Sequence, residues 1–391
     1  MNKKRNKVLK AVSLVVCVML ISSLFTAIDI SAENELSYPN LALDCRAAVL
    51  MEAQTGEILY ALNENEALPP ASVTKVMTLL LIMEAIEDKK IKYADMVTAS
   101  ENACSMGGSQ IYLEPGEQMS VEDLVKSVVI ASANDAAVTL AEHIAGTEEA
   151  FVQMMNDKAK QLNMTNTNFE NTNGLDDTTE NHVTSAKDIA IMSRELIKYP
   201  KITEYSSIWM DTVRGGEFGL TNTNRLIRFY KGATGLKTGS TSKAGFCISA
   251  TAERDGMTLI AVIMASPSRD SRNSSAVSLL NYGFSNYTLY KNPVSTSVNI
   301  PVIKGTAQSC QTVSEEFYAV IPKNQAGNVE IKTEAEAILT APVSKGQEVG
   351  KITYTINGKM LGASKIIASN SVDVIGFSDI FIRMLARVVL K

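Results

Sequence analysis

The sequence predicts an α+β body in which helices cover an antiparallel sheet, then a small all-β domain, then a C-terminal amphipathic helix. Three observations carry this. Up to about residue 292, buried-type helical runs alternate with hairpin patterns. After about Pro293, helical periodicity gives way to alternation, as at Val298, Ile300 and Val302 or at Ile352, Tyr354 and Ile356. From Ile375 onward, apolar residues return at helical spacing.

The chain has 391 residues, 46% of them apolar, and a formal net charge of -5. That length suits two or three domains with a sizeable core. With both signs of charge spread along the chain, nothing points to nucleic acid as a partner. Only 2 histidines occur, and the cysteine spacing fits no metal pattern, so no metal or other cofactor is expected.

Residues 1–32 read as a secretory signal peptide. Lys3, Lys4, Arg5, Lys7 and Lys10 precede an apolar run from Ala11 to Ile28, and Ser31-Ala32 offers small residues for cleavage, although Ile30 is large. The alternative is an uncleaved anchor, for which the run is short. Either way the remainder is expected outside the cytoplasm. Cys17 lacks the small preceding residues of a lipoprotein site. Cys45, Cys104, Cys247 and Cys310 then remain, read as buried thiols in preference to one or two disulfides.

The body is expected over 40–292. Ala47 to Tyr60 reads as a hairpin around Thr55-Gly56. After Pro69-Pro70, the stretch from Ser72 to about Asp88 is apolar nearly all round, which predicts a buried helix. Helices follow from Val121 to about Ile130 and from Asp135 to His143, the second closing at Gly146. Further helical patterns, between about 151 and 199, flank a polar loop from Asn163 to His182. Phe246–Thr251 and Leu259–Met264 form a hairpin around Asp255-Gly256, and a helix near 274–284 ends the body. The β-rich domain is expected over 293–370, with Asn357-Gly358 as a type I′ turn. In 371–391, Ile375, Phe377, Ile380, Phe381, Met384, Leu385, Val388 and Val389 make an apolar face, and Arg383, Arg387 and Lys391 a basic one. Such a helix suits an anionic membrane surface, the alternative being packing on its own protein. Its charges prevent it from spanning a bilayer.

Chemistry concentrates in Ser72-Val73-Thr74-Lys75, Ser132-Ala133-Asn134 and Lys237-Thr238-Gly239. Ser72 and Lys75 stand about one helical turn apart on one face. Burial would lower the lysine's pKa, and a neutral Lys75 could take the Ser72 proton without any histidine. Ser132 could relay a proton between Lys75 and a leaving amine, and Asn134 could hold Lys75 and a substrate carbonyl. Lys237 and Thr238 would receive a carboxylate, with Gly239 letting substrate backbone approach the strand. Each string alone has a bland reading: an ordinary surface lysine on a capped helix, Asn134 or Ser132 capping the next helix, a strand entry with a solvated lysine. As an ordered set they point to acyl transfer through a serine ester.

These strings, with Pro69-Pro70-Ala71 before the first, Asp135-Ala136-Ala137 after the second, and Gly235-Leu236 and Ser240-Thr241 around the third, resemble the serine-type D-alanyl-D-alanine carboxypeptidases, the low-molecular-mass penicillin-binding proteins. Asn173-Gly174-Leu175 and Leu279-Leu280-Asn281-Tyr282-Gly283-Phe284 extend the likeness, which runs from about residue 40 to the C-terminus. The resemblance implies a penicillin-binding/β-lactamase-like transpeptidase domain. It also implies removal of the terminal D-alanine from peptidoglycan pentapeptide stems, acylation by β-lactams, and residence at the outer face of the cytoplasmic membrane. Residue by residue it implies Ser72 as nucleophile, Lys75 as base and Ser132 as proton relay. Asn134, Lys237, Thr238 and Gly239 would bind substrate, and the N–H groups of Ser72 and Ser240 would form the oxyanion hole. Arg272 falls where the family has an arginine, either near the carboxylate or in a structural ion pair. Asn173 stands where many relatives have histidine. Two alternatives remain. A β-lactamase-like hydrolase would need a deacylating glutamate, for which Glu170 is the nearest candidate. A non-catalytic wall-binding scaffold would have been free to lose the three strings.

Overall fold

The computed structural model of the chain describes residues 38–292 and 299–389. The expected signal peptide lies outside the described residues, as does 293–298, where the change of texture begins. Among the described residues, the body holds an antiparallel sheet of five strands. They are β1 (Ala47–Glu52), β2 (Ile58–Leu62), β3 (Ala233–Thr241), β4 (Gly245–Arg254) and β5 (Met257–Ser266), in the order β2-β1-β5-β4-β3. The predicted hairpin turns form: Gly56, Asp255 and Gly256 all take positive φ, which suits Gly and Asp. β3 carries Lys237-Thr238-Gly239 at the sheet edge, where its free side meets another part of the chain.

The helices that matter for the site are α1 (Lys75–Glu87), α2 (Asn134–Ala145), α3 (Glu148–Gln161), α4 (Ala186–Leu196) and α5 (Arg269–Asn286). α1 is buried around its whole circumference, with Val76, Met77, Leu79, Leu80 and Ile82 at most 2% exposed. Its apolar residues therefore face α2, α3 and α4 alike, and no polar stripe is needed. Burying side chains of this size is worth roughly 1.5–3 kcal/mol each. Thr147, Ser185 and Ser268 cap α3, α4 and α5 through their hydroxyls. The Ser268 cap explains why α5 starts at Arg269, ahead of the expected Ser274.

The helix expected over 121–130 differs in form. It is α-helical only over Val121–Lys126, then widens into a π-turn over Ser127–Ala131 and stops at Ser132, whose φ is +64°. A left-handed serine is costly, and such wide turns gather where a side chain must be re-aimed.

The second sheet has six strands among the described residues: β6 (Asn299–Ile303), β7 (Ser309–Ser314), β8 (Val329–Ala335), β9 (Leu339–Thr340), β10 (Glu348–Ile356) and β11 (Lys359–Ala368), in the order β8-β10-β11-β7-β6-β9. Asn357 and Gly358, with φ of +50° and +76°, make the predicted turn between β10 and β11. Ile300, Cys310, Val349, Ile352, Tyr354 and Ile366 form its core. Tyr287–Lys291 pairs with Tyr318–Pro322, an exchange that alternation alone does not reveal. The terminal helix, α6, covers Phe377–Val389. It begins later than residue 371 because Val372 is buried and exchanges two backbone hydrogen bonds with Val343. The described cysteines are all free thiols.

Candidate active site

The prolines deliver the chain into a 3-10 turn, Ala71–Thr74, from which α1 continues at Lys75. Ser72 and Lys75 therefore lie across the junction, on the same side, with Lys75 Nζ 3.0 Å from Ser72 Oγ. Lys75 is fully buried. Its amine also donates to Asn134 Oδ1 at 2.5 Å and to the Asn173 carbonyl at 2.8 Å. Asn134 is fixed in turn, its amide donating to the Gly107 carbonyl at 2.7 Å. It begins α2 without capping it, so the capping alternative fails. Next to it, buried Asp135 accepts from the N–H groups of Ile111, Leu113 and Ala136 and pins the 109–113 loop beside the cleft.

Lys237, also buried, donates to Ser132 Oγ at 2.7 Å and to the Thr238 carbonyl at 2.8 Å. Ser132 is thus held by Lys237, not by Lys75, and the left-handed turn is what points it there. Among the described residues neither lysine is paired with a carboxylate. Burial pushes Lys75 well below the ordinary lysine range, the Lys237 charge adds to this, and Asp135 opposes it. Lys237 falls to about 7, through burial first and then the Arg272 charge.

Thr238 Oγ1 donates to Thr223 Oγ1 at 2.8 Å. Asn222 and Asn224 hold that segment through the carbonyls of Ser206, Ile208 and Gly235. Gly239 has a reason the sequence does not suggest. A Cβ there would lie 2.7 Å from Ser72 N and 2.9 Å from Pro70 O, so glycine lets β3 press against the nucleophile turn. Gly174, at φ +84°, lies closer still: a Cβ would stand 1.9 Å from the Ala71 carbonyl. A cavity of about 640 Å³ opens above, lined in part by Ser72, Ser132, Thr238, Gly239 and exposed Ser240. Every site residue expected from the sequence thus meets in one place, with Lys75, Asn134 and Lys237 as its floor.

Sequence reasoning passed over Thr223, the Asn173 carbonyl and His182. His182 lies under the nucleophile turn. It accepts from Glu170 N at Nδ1 (3.0 Å), so Nε2 carries the proton toward Thr74 Oγ1 (2.8 Å), whose own proton goes to the Ala71 carbonyl. Burial lowers its pKa from 6.5 to about 4, and Lys243 adds to this against Glu170 and Asp176. Because the folded value is the lower one, the unfolded state binds more protons between these limits. Stability is complete above pH 6.5 and falls as pH drops toward 4, by roughly 3 kcal/mol. Denaturant midpoints measured across that range should show the loss, and His182→Gln should flatten it.

Glu170 does not fill the role of a deacylating base. Its carboxylate accepts from the N–H groups of Glu180 and Asn181 within the polar loop and does not line the cavity. Arg272 is buried at the cavity wall, bonded to Asn273 Oδ1 and, at 3.5 Å, to the Cys247 carbonyl; among the described residues it forms no ion pair.

Residues 32–268 match the family model described as D-alanyl-D-alanine carboxypeptidase, and residues 284–374 match that of the penicillin-binding protein 5 C-terminal domain. The chain is 43% identical to D-alanyl-D-alanine carboxypeptidase DacF of Bacillus subtilis, over 86% of this chain and 88% of that protein. It is 34% identical to DacC of Escherichia coli, over 90% of each. Among solved structures it is similar to penicillin binding protein 5 from Haemophilus influenzae, with a TM-score of 0.74 and 33% identity over 86% of this chain and 99% of that one. It is also similar to ampicillin-bound penicillin-binding protein D2 from Listeria monocytogenes, with a TM-score of 0.58 and 32% identity over 63% of this chain and 100% of that one.

Proposed function

The chain belongs to the D-alanyl-D-alanine carboxypeptidase family of low-molecular-mass penicillin-binding proteins, and from that premise we propose how its residues divide the work. It is a serine-type carboxypeptidase that removes the terminal D-alanine of peptidoglycan stems through an acyl-serine. The observation that carries the mechanism is the environment of Lys75 Nζ. A neutral amine has two N–H bonds, and the Asn134 and Asn173 oxygens take both. The lone pair is left facing the Ser72 hydroxyl at 3.0 Å.

Lys75 then accepts the Ser72 proton as Oγ attacks the penultimate D-alanyl carbonyl. The N–H groups of Ser72 and Ser240 receive the developing oxyanion. Lys237 and Thr238 hold the terminal carboxylate. Ser132, hydrogen-bonded to Lys237, relays the proton taken up by Lys75 to the departing D-alanine amine, which returns Lys75 to the free base. Gly239 keeps the strand and the nucleophile in register, and Asn134 positions Lys75. Water hydrolyses the ester. A β-lactam presents the same carboxylate and an amide carbonyl, and is expected to stop at the ester. Mass spectrometry of the penicillin-treated protein should place one adduct on the peptide containing Ser72; an adduct elsewhere refutes the assignment.

The protein is proposed to work outside the cytoplasmic membrane, held there by α6. Among the described residues no helix is long and apolar enough to cross a membrane. α6 instead leaves Phe377 85% exposed, with Phe381 and Met384 on the same face each more than half exposed. That face suits insertion at the headgroup boundary. Deleting the chain after Gly376 spares the Val372–Val343 pairing and should move the protein from the lipid pellet to the supernatant with carboxypeptidase activity kept. A truncated protein that still sediments with vesicles excludes the anchor.

A further inference from the structure

We infer that Arg225, Arg228 and Arg269 form a second anion subsite in the catalytic cleft, which takes a carboxylate borne by the leaving half of the substrate, additional to the one at Lys237 and Thr238. The inference rests on the mechanism above and extends it.

The three arginines line the same cavity as Ser72, with buried Arg272 beside them. Among the described residues none of the four is paired with a carboxylate. This is a local inversion in a chain with 42 acidic and 37 basic residues. Unpaired cations crowding one wall repel one another and attract an anion into it. The crowding is visible at Arg272, brought down to about 10 by burial first and then by the Arg269 charge, with Arg225 adding less, against the opposing influences of Cys247 and Asp270. Arg228 is steadied by its face: the guanidinium lies 5.7 Å from the Trp209 ring centre and 5.5 Å from that of Phe229. Such packing leaves the N–H edge of the fork free for a carboxylate.

Position decides which half of the substrate reaches this wall. Thr238 marks the place of the leaving residue's α-carboxylate. Its hydroxyl is bonded to Thr223, and Arg225 and Arg228 follow on the same segment. The wall therefore continues from Thr238 past the end of the leaving residue. D-Alanine, with only a methyl group, leaves it unused. A departing amine with an acidic side chain, or one belonging to a further acidic peptide, fills it. The chemistry is otherwise unchanged: the D-alanyl C–N bond breaks, the Ser72 Oγ–acyl bond forms, the serine proton ends on the amine, and water releases the acid and restores the serine.

The test compares kcat/KM of the full-length protein and its R225Q/R228Q variant on three peptides. They are diacetyl-L-lysyl-D-alanyl-D-alanine, its analogue ending in D-glutamate, and acetyl-L-glutamyl-D-alanyl-D-alanine, which carries its extra charge on the acyl side. Both arginines are exposed, so the variant should fold. The expected result is a preference of about tenfold for the D-glutamate peptide over the D-alanine one, reduced to near unity in the variant and narrowed by salt. No preference in the wild type, the same preference in both proteins, or a loss confined to the acyl-side glutamate would each overturn the subsite. Failure to hydrolyse any of the peptides would instead overturn the carboxypeptidase mechanism on which it rests.

Discussion

With Ser72 replaced by alanine, release of D-alanine from a pentapeptide is expected to fall by on the order of 10⁶-fold, and labelling by a fluorescent penicillin to vanish. The change removes one oxygen from a half-buried position and keeps the turn that carries it. The variant should therefore unfold at nearly the same denaturant concentration as the wild type. What it loses is the atom 3.0 Å from the Lys75 amine, for which nothing in the cavity substitutes. Ser132 is engaged by Lys237, which serves as the cation that holds the carboxylate. Retained release would mean that another group attacks, and the serine mechanism would be wrong. Wild-type protein that neither releases D-alanine nor takes the label would return the scaffold reading to favour.

The second large effect concerns the paired lysines. Lys75→Ala should slow acylation by about 10²–10⁴-fold, the usual range for a general base. Lys237→Gln should act at a distance as well as directly. Lys75 works as the free amine, so kcat/KM rises with pH through its lowered pKa. Lys237 works as the cation, so the same parameter falls as pH passes about 7, where burial and Arg272 have brought it. The wild type should give a bell. In Lys237→Gln the alkaline limb disappears and the rate drops with the lost carboxylate contact. The acid limb also moves to higher pH, because a cation that repelled the Lys75 proton is gone. An acid limb that stays in place in this variant would show that the two amines are not coupled and that Lys75 is not the group being titrated.

Where apolar content alone decides an outcome, the sequence was enough. Val76 to Met83 are apolar but for Thr78, and α1 is buried on every face. The Asp255-Gly256 and Asn357-Gly358 turns fall where a positive φ was required. The strings around Ser72, Ser132 and Lys237 also named the groups that gather in the cleft, because nucleophile, amine and hydroxyl are residue types. The path to Ser132 was less legible. A run that reads as plain helix contains a π-turn, since i→i+4 and i→i+5 closure bury much the same side chains.

By itself the sequence determined which elements form and which functional groups are supplied, since periodicity, turn preference and side-chain chemistry are local properties. Only the tertiary structure decided that Asn173 contributes its carbonyl to Lys75, that Ser132 turns to Lys237, that Thr223 braces Thr238, and that Gly239 serves the nucleophile's own backbone. Backbone oxygens are the same at every position, and closeness between segments far apart in the chain is set by how the sheet edge packs on the helices. No local pattern encodes either.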